Sequence, residues 1–283
     1  MPEDHVSIDG VRVPRFLYGT AWKEEATQTL VERAIECGFR GIDTANQRRH
    51  YHEAAVGQGI AAVIKRGKVA REDLFLQTKF TFQAGQDHRL PYDPQARIAT
   101  QVKQSLASSQ EHLGADMIDS FILHAPSQSH GLGAADREAW EAMEAAHDSG
   151  RVRLLGVSNI DAEQLQTLCQ QARIQPRFVQ NRCFARTGWD RSVRKYCAAN
   201  NILYQGFSLL TANERALLHP DLLPIAERHG RSSEQILFRF ALDLGMVPLT
   251  GTTNEQHMRA DLDIFDFHLL PEEVTRIEQI AMR

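Results

Sequence analysis

The first apolar strand pattern of the chain, Phe16–Trp22, runs into GTAWKEE (Gly19–Glu25). An open nucleotide-binding α/β sheet turns from its first strand into its first helix through G-x-G-x-x-G, whose glycines let a backbone approach a diphosphate. GTAWKEE has one glycine, then a tryptophan, a lysine and two glutamates, so that loop is absent. The units that follow must therefore close in another way.

Outward from this stretch, short runs rich in Val, Ile, Leu and Phe alternate with longer amphipathic segments. After Phe16–Trp22, strands are predicted at Arg40–Ala45, Leu74–Phe80, Met117–His124, Val152–Asn159, Arg177–Asn181, Ile202–Ser208 and Met246–Leu249. Helical patterns cover Gln28–Cys37, Ala54–Lys65, Pro94–Leu113, Arg137–Asp148, Ala162–Ala172, Asp190–Ala199, Ser233–Leu244 and Asn254–Leu262. Gly38, Gly114, Gly150, Gly230 and Gly245 close helices where a left-handed C-cap suits glycine, and Asp161 and Ser232 open helices as N-caps. SIDGVRVP reads as a hairpin turning at Asp9-Gly10, and PEEVTRIEQIAMR as a last helix from Pro271. Eight strand-then-helix units without the glycine loop predict a (β/α)8 barrel, with an N-terminal hairpin and an extra C-terminal helix. No linker or low-complexity segment interrupts them, so one domain over residues 1–283 is expected.

Composition narrows the functional class. The chain is 42% hydrophobic and 24% charged, with a net charge of −4, which gives no nucleic-acid footprint. The polar start MPEDHVSIDG lacks the apolar core of a signal peptide, and no apolar run suits a membrane span. The four cysteines, Cys37, Cys169, Cys183 and Cys197, form no C-x-x-C pair, so free thiols in the cytoplasm are expected. His50 and His52 lack the H-E-x-x-H pattern or a carboxylate set at ligand spacing, so no metal is expected.

In a barrel the C-terminal strand ends share the face that holds the active site. The strands deliver there Thr20 and Trp22, Asp43, Lys79, His124, Ser158-Asn159, Gln180-Asn181, Phe207-Ser208 and, after the last strand, Thr250-Gly251-Thr252-Thr253. Singly, Asp43 is a turn residue, Lys79 a solvated strand end, Gln180 a core amide and Phe207 core packing. Together, Asp43, Lys79 and His124 come from three consecutive strands, and a lysine there needs Asp43 as counter-ion. Tyr51, in the loop RRHYH (Arg48–His52), is the nearby phenol. A cation beside it is expected to lower its pKa from about 10, so that it can protonate a carbonyl oxygen.

GFRGIDTA (Gly38–Ala45), EAAVG (Glu53–Gly57), FLQTKF (Phe75–Phe80), IDSFILHAP (Ile118–Pro126) and LLGVSN (Leu154–Asn159) resemble the aldo-keto reductases, in order, from Gly19 to LDIFDF (Leu262–Phe267). The resemblance implies a (β/α)8 barrel that reduces small-molecule aldehydes or ketones to alcohols with NADPH, or NADH as the alternative. The family's Asp-Tyr-Lys-His set falls on Asp43, Tyr51, Lys79 and His124. The loop after Asp43 is about two residues longer than the family's, within the slack of loops. Counting back from Glu53 puts His50 in the tyrosine's place, so His50 is the rival acid, and an ungapped alignment puts Arg48 there.

The resemblance also implies a cofactor set. Ser158, Asn159 and Gln180 match the nicotinamide carboxamide contacts, Phe207 the stacking aromatic, and Ser208 and Leu210 the diphosphate segment. At the adenosine end the family's lysine is missing. Thr250, Gly251, Thr252, Thr253, His257 and Asp261, together with Thr20, make up the remainder; the N-terminus of the Asn254 helix and Arg259 are expected to assist at the phosphate. Trp22, Phe80 and Phe82, with Tyr92, are the expected substrate walls, and the glycines of Ser127–Ala135 suit that loop to movement. A cofactor-binding regulatory or redox-sensing barrel with little turnover is the alternative function. The sequence does not give the oligomeric state.

Overall fold

The computed structural model describes residues 4–280. The hairpin comes first: β1 (His5–Ile8) pairs antiparallel with β2 (Val11–Pro14). Its turn residues Asp9 and Gly10 have φ of 49° and 79°, the paired positive values that an Asp-Gly turn supplies at low cost. Eight parallel strands follow: β3 (Leu17–Gly19), β4 (Gly41–Asp43), β5 (Phe75–Phe80), β6 (Ile118–Leu123), β7 (Val152–Ser158), β8 (Phe178–Arg182), β9 (Leu203–Phe207) and β10 (Val247–Thr250). They close as β10-β3-β4-β5-β6-β7-β8-β9, with β9 paired to β10, so the barrel has no free edge. The predicted barrel is the observed fold.

Helices separate the strands, over Thr27–Cys37, Glu53–Lys65, Ile98–Leu113, Ala134–Asp148, Ala162–Gln171, Arg191–Ala199, Ser233–Asp243 and Glu255–Leu262, and Pro271–Gln279 follows as the extra helix. The part of the predicted last helix beyond residue 280 lies outside the described residues. The third helix starts at Ile98 rather than Pro94, because Asp93 accepts the Gln95 N–H at 2.9 Å and holds residues 93–96 in a turn. Two short helices between β9 and Ser233, Glu214–Leu217 and Leu223–His229, are too brief to show a helical period. The N-caps behave as read: Asp161 accepts from Gln164 N–H at 2.8 Å and Ser232 from Gln235 N–H at 3.3 Å.

Side chains alternate between two cores. Outward residues such as Tyr18, Leu76, Phe80, Phe121, Leu155 and Val157 pack under the helices. Inward residues Leu17, Phe75, Ile122, Leu154, Phe178, Val247 and Leu249 fill the barrel floor, which Val11 and Val13 of the hairpin plug. Gly156 faces inward; a Cβ there would lie 2.4 Å from Ile122 Cδ1 and 2.8 Å from Phe178 Cβ, so the packed interior requires glycine. Above this apolar floor the inward positions turn polar, and that layer carries the candidate site.

Candidate active site

Asp43 ends β4 and is 3% exposed, while Lys79, on the inward face of β5, is fully buried. Lys79 Nζ donates to both Asp43 carboxylate oxygens at 2.7 Å and to Thr44 O at 2.8 Å. Burial pulls the lysine's pKa below its ordinary value, and the Asp43 charge opposes that fall.

The long loop after Asp43 brings Tyr51 back over this pair. Lys79 Nζ lies 5.3 Å from the Tyr51 ring centroid, and the Tyr51 and His124 rings meet edge to face at 5.9 Å. Lys79 thus faces the phenol's ring while sharing its charge with Asp43. The expected fall in the tyrosine's pKa does not occur: burial and the Asp43 carboxylate push it well above 10. Tyr51 therefore holds its proton at neutral pH. His50 turns the other way, its imidazole 4.0 Å from the Trp22 indole between ring centroids, while its carbonyl accepts the Trp22 N–H at 2.7 Å. It still lies near enough to act on the charge of His124.

His124 follows β6. Burial first, then the charges of Lys79 and His50, hold its pKa well below 6.5, so its imidazole is neutral. Thr81 Oγ1 sits 2.7 Å from His124 Nδ1. When the hydroxyl donates, Nε2 carries the ring proton.

Beneath Asp43 lies an amide layer that strand-end reading misses. Gln77 Nε2 donates to Asp43 Oδ1 at 2.7 Å and to Gln205 Oε1 at 2.8 Å; Gln205 returns a bond to Gln77 Oε1 at 3.0 Å, and Ser120 Oγ donates to the same oxygen at 2.9 Å. Gln180 Nε2 donates to Asp43 Oδ1 and Gln205 Oε1, each at 2.9 Å. The signal available was period 2: Gln77 precedes Lys79 by two residues, Gln205 precedes Phe207 by two, and both pairs face inward. The same alternation corrects Phe80. One residue after Lys79, it points outward and is fully buried, packing on Phe82 and Tyr92 at ring distances of 5.2 and 5.8 Å, so it lines no substrate pocket. Tyr92 is likewise core, donating to Thr81 O at 2.7 Å, and Phe82 packs against the same cluster. Trp22 alone of the expected walls stands open, 69% exposed and at φ 61°.

On the far side of the mouth, Ser158 Oγ donates to Gln180 O at 2.6 Å, and Asn159 Nδ2 donates to His124 O at 2.9 Å. Gln180 Oε1 and Asn159 Oδ1 accept no hydrogen bond among the described residues, which leaves two acceptors at adjacent strand ends for an amide N–H. Asn159, Ser208 and Trp22 all hold positive φ. Such strain in non-glycine residues concentrates at functional mouths. Thr20 is committed elsewhere, its Oγ1 donating to Asp43 O at 2.9 Å. The loop at 127–135 is tethered: Asp136 accepts from Ser127 and Gly133, and Gln164 donates to the Gln128 and Gly131 carbonyls.

The adenosine-end residues are arranged differently from expectation. Asn254 Oδ1 accepts the N–H groups of Gln256 and His257, at 2.8 and 3.3 Å, so the helix start supplies its own cap. Arg259 pairs with Glu255 at 2.8 Å. Asp261 is buried beside the Thr250 hydroxyl, and burial raises its pKa to about 6. Thr253, Gly251 and His257 are exposed and Thr252 half-exposed. Lys23, which the sequence reading passed over, donates from the segment after β3 to Gly251 O after the neighbouring β10.

The family model described as "Aldo/keto reductase family" matches residues 17–282. The chain belongs to the aldo/keto reductase family. Among its reductase relatives, aldo-keto reductase AKR2E4 of Bombyx mori is 33% identical over 92% of this chain and 85% of its own length. A glyoxal reductase of Bacillus subtilis is 30% identical over 96% of this chain and 90% of its own. The crystal structure of the Bombyx mori reductase in complex with NADP superposes with a TM-score of 0.81 at 29% identity, covering 96% of this chain and 90% of that one. The family is one of oxidoreductases, and this chain is an enzyme of that kind.

Proposed function

We propose that the protein reduces aldehydes or ketones to alcohols with NADPH, with Tyr51 as the proton donor. The observation that carries this reading is the buried Lys79–Asp43 pair lying 5.3 Å under the Tyr51 ring, with His124 edge-on to the same ring. The cofactor reading is supported by the free acceptors of Gln180 and Asn159, the half-exposed Phe207 ring, and relatives solved with NADP.

Bound NADPH supplies a hydride to the carbonyl carbon. Ser158, Asn159 and Gln180 would hold its carboxamide, Phe207 its ring, and Ser208, Leu210 and Lys23 its diphosphate. Neutral His124, with Nε2 as donor, orients the carbonyl oxygen. The Tyr51 hydroxyl gives that oxygen its proton as negative charge develops there. A phenol held protonated at neutral pH suits this direction of reaction. Lys79 offsets the charge left on the phenolate, and Asp43, fixed by Gln77 and Gln180, keeps Lys79 in place. Exposed Trp22 walls the carbonyl substrate.

The test is a set of three variants assayed with reduced cofactor and generic carbonyls. Tyr51→Phe should lower kcat by ~10²–10⁴-fold, the range of general acid catalysis. Lys79→Met should abolish turnover while cofactor Kd is kept. His50→Ala should cost less than about tenfold, well below that range. Inactive His50→Ala beside active Tyr51→Phe would make histidine the donor, and a wild-type protein that binds cofactor without turnover would favour a sensing role.

A further inference from the structure

The end of β8 carries a cation that the chemistry above leaves unused. Arg182 lies two residues beyond Gln180 on the inward face and is paired in register with Phe207. Its guanidinium carbon is 5.4 Å from the Phe207 ring centroid and 5.9 Å from that of Phe184. Arg186 in turn lies over Phe184 at 4.8 Å. The result is a ladder of two guanidinium groups and two rings at the mouth.

The ladder is built on a fixed support. Asn213, 4% exposed, accepts the Ala185 N–H at 2.7 Å and donates to Cys183 O at 2.8 Å and Leu209 O at 2.9 Å. This one amide joins the segment after β8 to the segment after β9. Arg182 and Ser208 therefore keep a set relation across the groove. Among the described residues, neither the Arg182 nor the Arg186 side chain makes a hydrogen bond or ion pair. The exposed Arg182 fork thus faces the mouth with all its N–H groups open.

A guanidinium between aromatic faces is attracted to both and has lost much of its freedom before a ligand arrives. Its planar fork matches phosphate oxygens, with two donors in one plane. The side of the mouth matters too. Tyr51, His124 and Trp22 gather over β3, β4 and β6, whereas Arg182 belongs to the β8–β9 side with Gln180, Phe207 and Ser208.

We propose that Arg182 binds the diphosphate bridge of a nicotinamide dinucleotide, preset for it by Phe184 and Phe207. This rests on the cofactor reading of the site. The bridge is common to NADPH and NADH, so Arg182 contributes affinity without choosing between them. It adds a charge to a cofactor groove whose adenosine end holds Arg259 in a pair with Glu255.

The experiment titrates wild type, Arg182→Gln, Arg182→Lys and Arg186→Gln with NADPH and NADH, following tryptophan fluorescence. Arg182→Gln should raise both Kd values by about 10- to 100-fold, the value of a charged hydrogen bond, and leave their ratio unchanged. Arg182→Lys should recover part of the loss. Arg186→Gln should change Kd by less than about threefold, since an exposed cation outside the contact acts only through screened charge. The salt dependence of Kd should flatten in Arg182→Gln, with the melting temperature unchanged. Equal Kd values in wild type and Arg182→Gln would overturn the proposal. So would a loss confined to NADPH, which would assign Arg182 to the 2′-phosphate. Unchanged Kd with a raised KM for para-carboxybenzaldehyde, but not para-nitrobenzaldehyde, would assign it to an anionic substrate. Wild-type protein that binds neither cofactor would overturn the cofactor reading itself.

Discussion

At the residue scale, the site is governed by how buried charges are compensated. Lys79 has lost all solvent and is held by three oxygens, two from Asp43 and one from Thr44. Its pKa is lowered by burial, so its charge is lost at a pH below the ordinary lysine range near 10. Tyr51 is shifted the opposite way and stays protonated there. The kcat for reduction should therefore fall on the alkaline side as Lys79 deprotonates, before the phenol ionises. A kcat that stays level through pH 10 would contradict this. Gln205 gives a structural counterpart. Gln205→Leu removes the acceptor of both Gln77 and Gln180 and leaves Gln77 Oε1 short of a donor. Denaturant unfolding should show a loss of about 1–3 kcal/mol, the cost of stranding a buried polar group.

At the element scale, the helix Glu53–Lys65 fixes the loop that carries Tyr51. Glu53 is buried, accepts from Thr78 beside Lys79, and pairs with His112 Nδ1 at 3.0 Å on the next helix. That pairing raises the His112 pKa above its ordinary 6.5. A raised folded-state value means that the stabilisation is complete below about pH 6.5 and is lost as pH rises through the folded pKa. The melting temperature of His112→Gln should therefore lie further below wild type at mildly acidic than at mildly alkaline pH. A constant gap would show that the pair is not coupled to protonation. One turn on, Gly57 lets this helix approach its neighbour, since a Cβ would sit 1.9 Å from His112 O. Backbone cannot yield as a flexible side chain does, so Gly57→Ala should cost about 1–3 kcal/mol, as overpacking does, and chemical denaturation measures it.

At the scale of the whole molecule, packing raises the titration of its phenols. All five tyrosines are shifted upward, with burial the leading cause at Tyr18, Tyr51, Tyr92, Tyr196 and Tyr204. Tyr92 reaches about 12. In the folded protein at pH 10, the phenolate absorbance should stand well below the half-ionised level of free tyrosine, and denaturant should raise it. The sign for stability follows. Raised folded values favour the native state below the unfolded pKa, and that contribution is lost as pH climbs through them. The protein should lose stability above about pH 10, where unfolded tyrosines release protons. Phenolate absorbance that is the same with and without denaturant would contradict the burial of these side chains.

The strand-and-helix alternation, the missing glycine loop after β3, the Asp9-Gly10 turn and the caps at Asp161 and Ser232 were legible in the sequence, because each depends on neighbours within a few residues. Asp43, Lys79 and His124 were legible as strand-end residues for the same reason: strand order alone puts their ends side by side once the barrel closes. What tertiary structure decided was compensation between distant groups. Gln77 and Gln205 are 128 positions apart, and only closure joins them under Asp43. The path of the long loop brings Tyr51, rather than His50, over Lys79, and no local pattern records that path. The raised pKa of Tyr51 follows from burial, which depends on everything packed around the ring. Arg182 lies just past the predicted strand Arg177–Asn181, and no local pattern marks it. It becomes an open fork between two rings only because β9 lies beside β8 and Asn213 joins their loops. Local propensity fixes the elements, whereas the energy of a buried charge is set by whichever partners the closed barrel brings within hydrogen-bond reach.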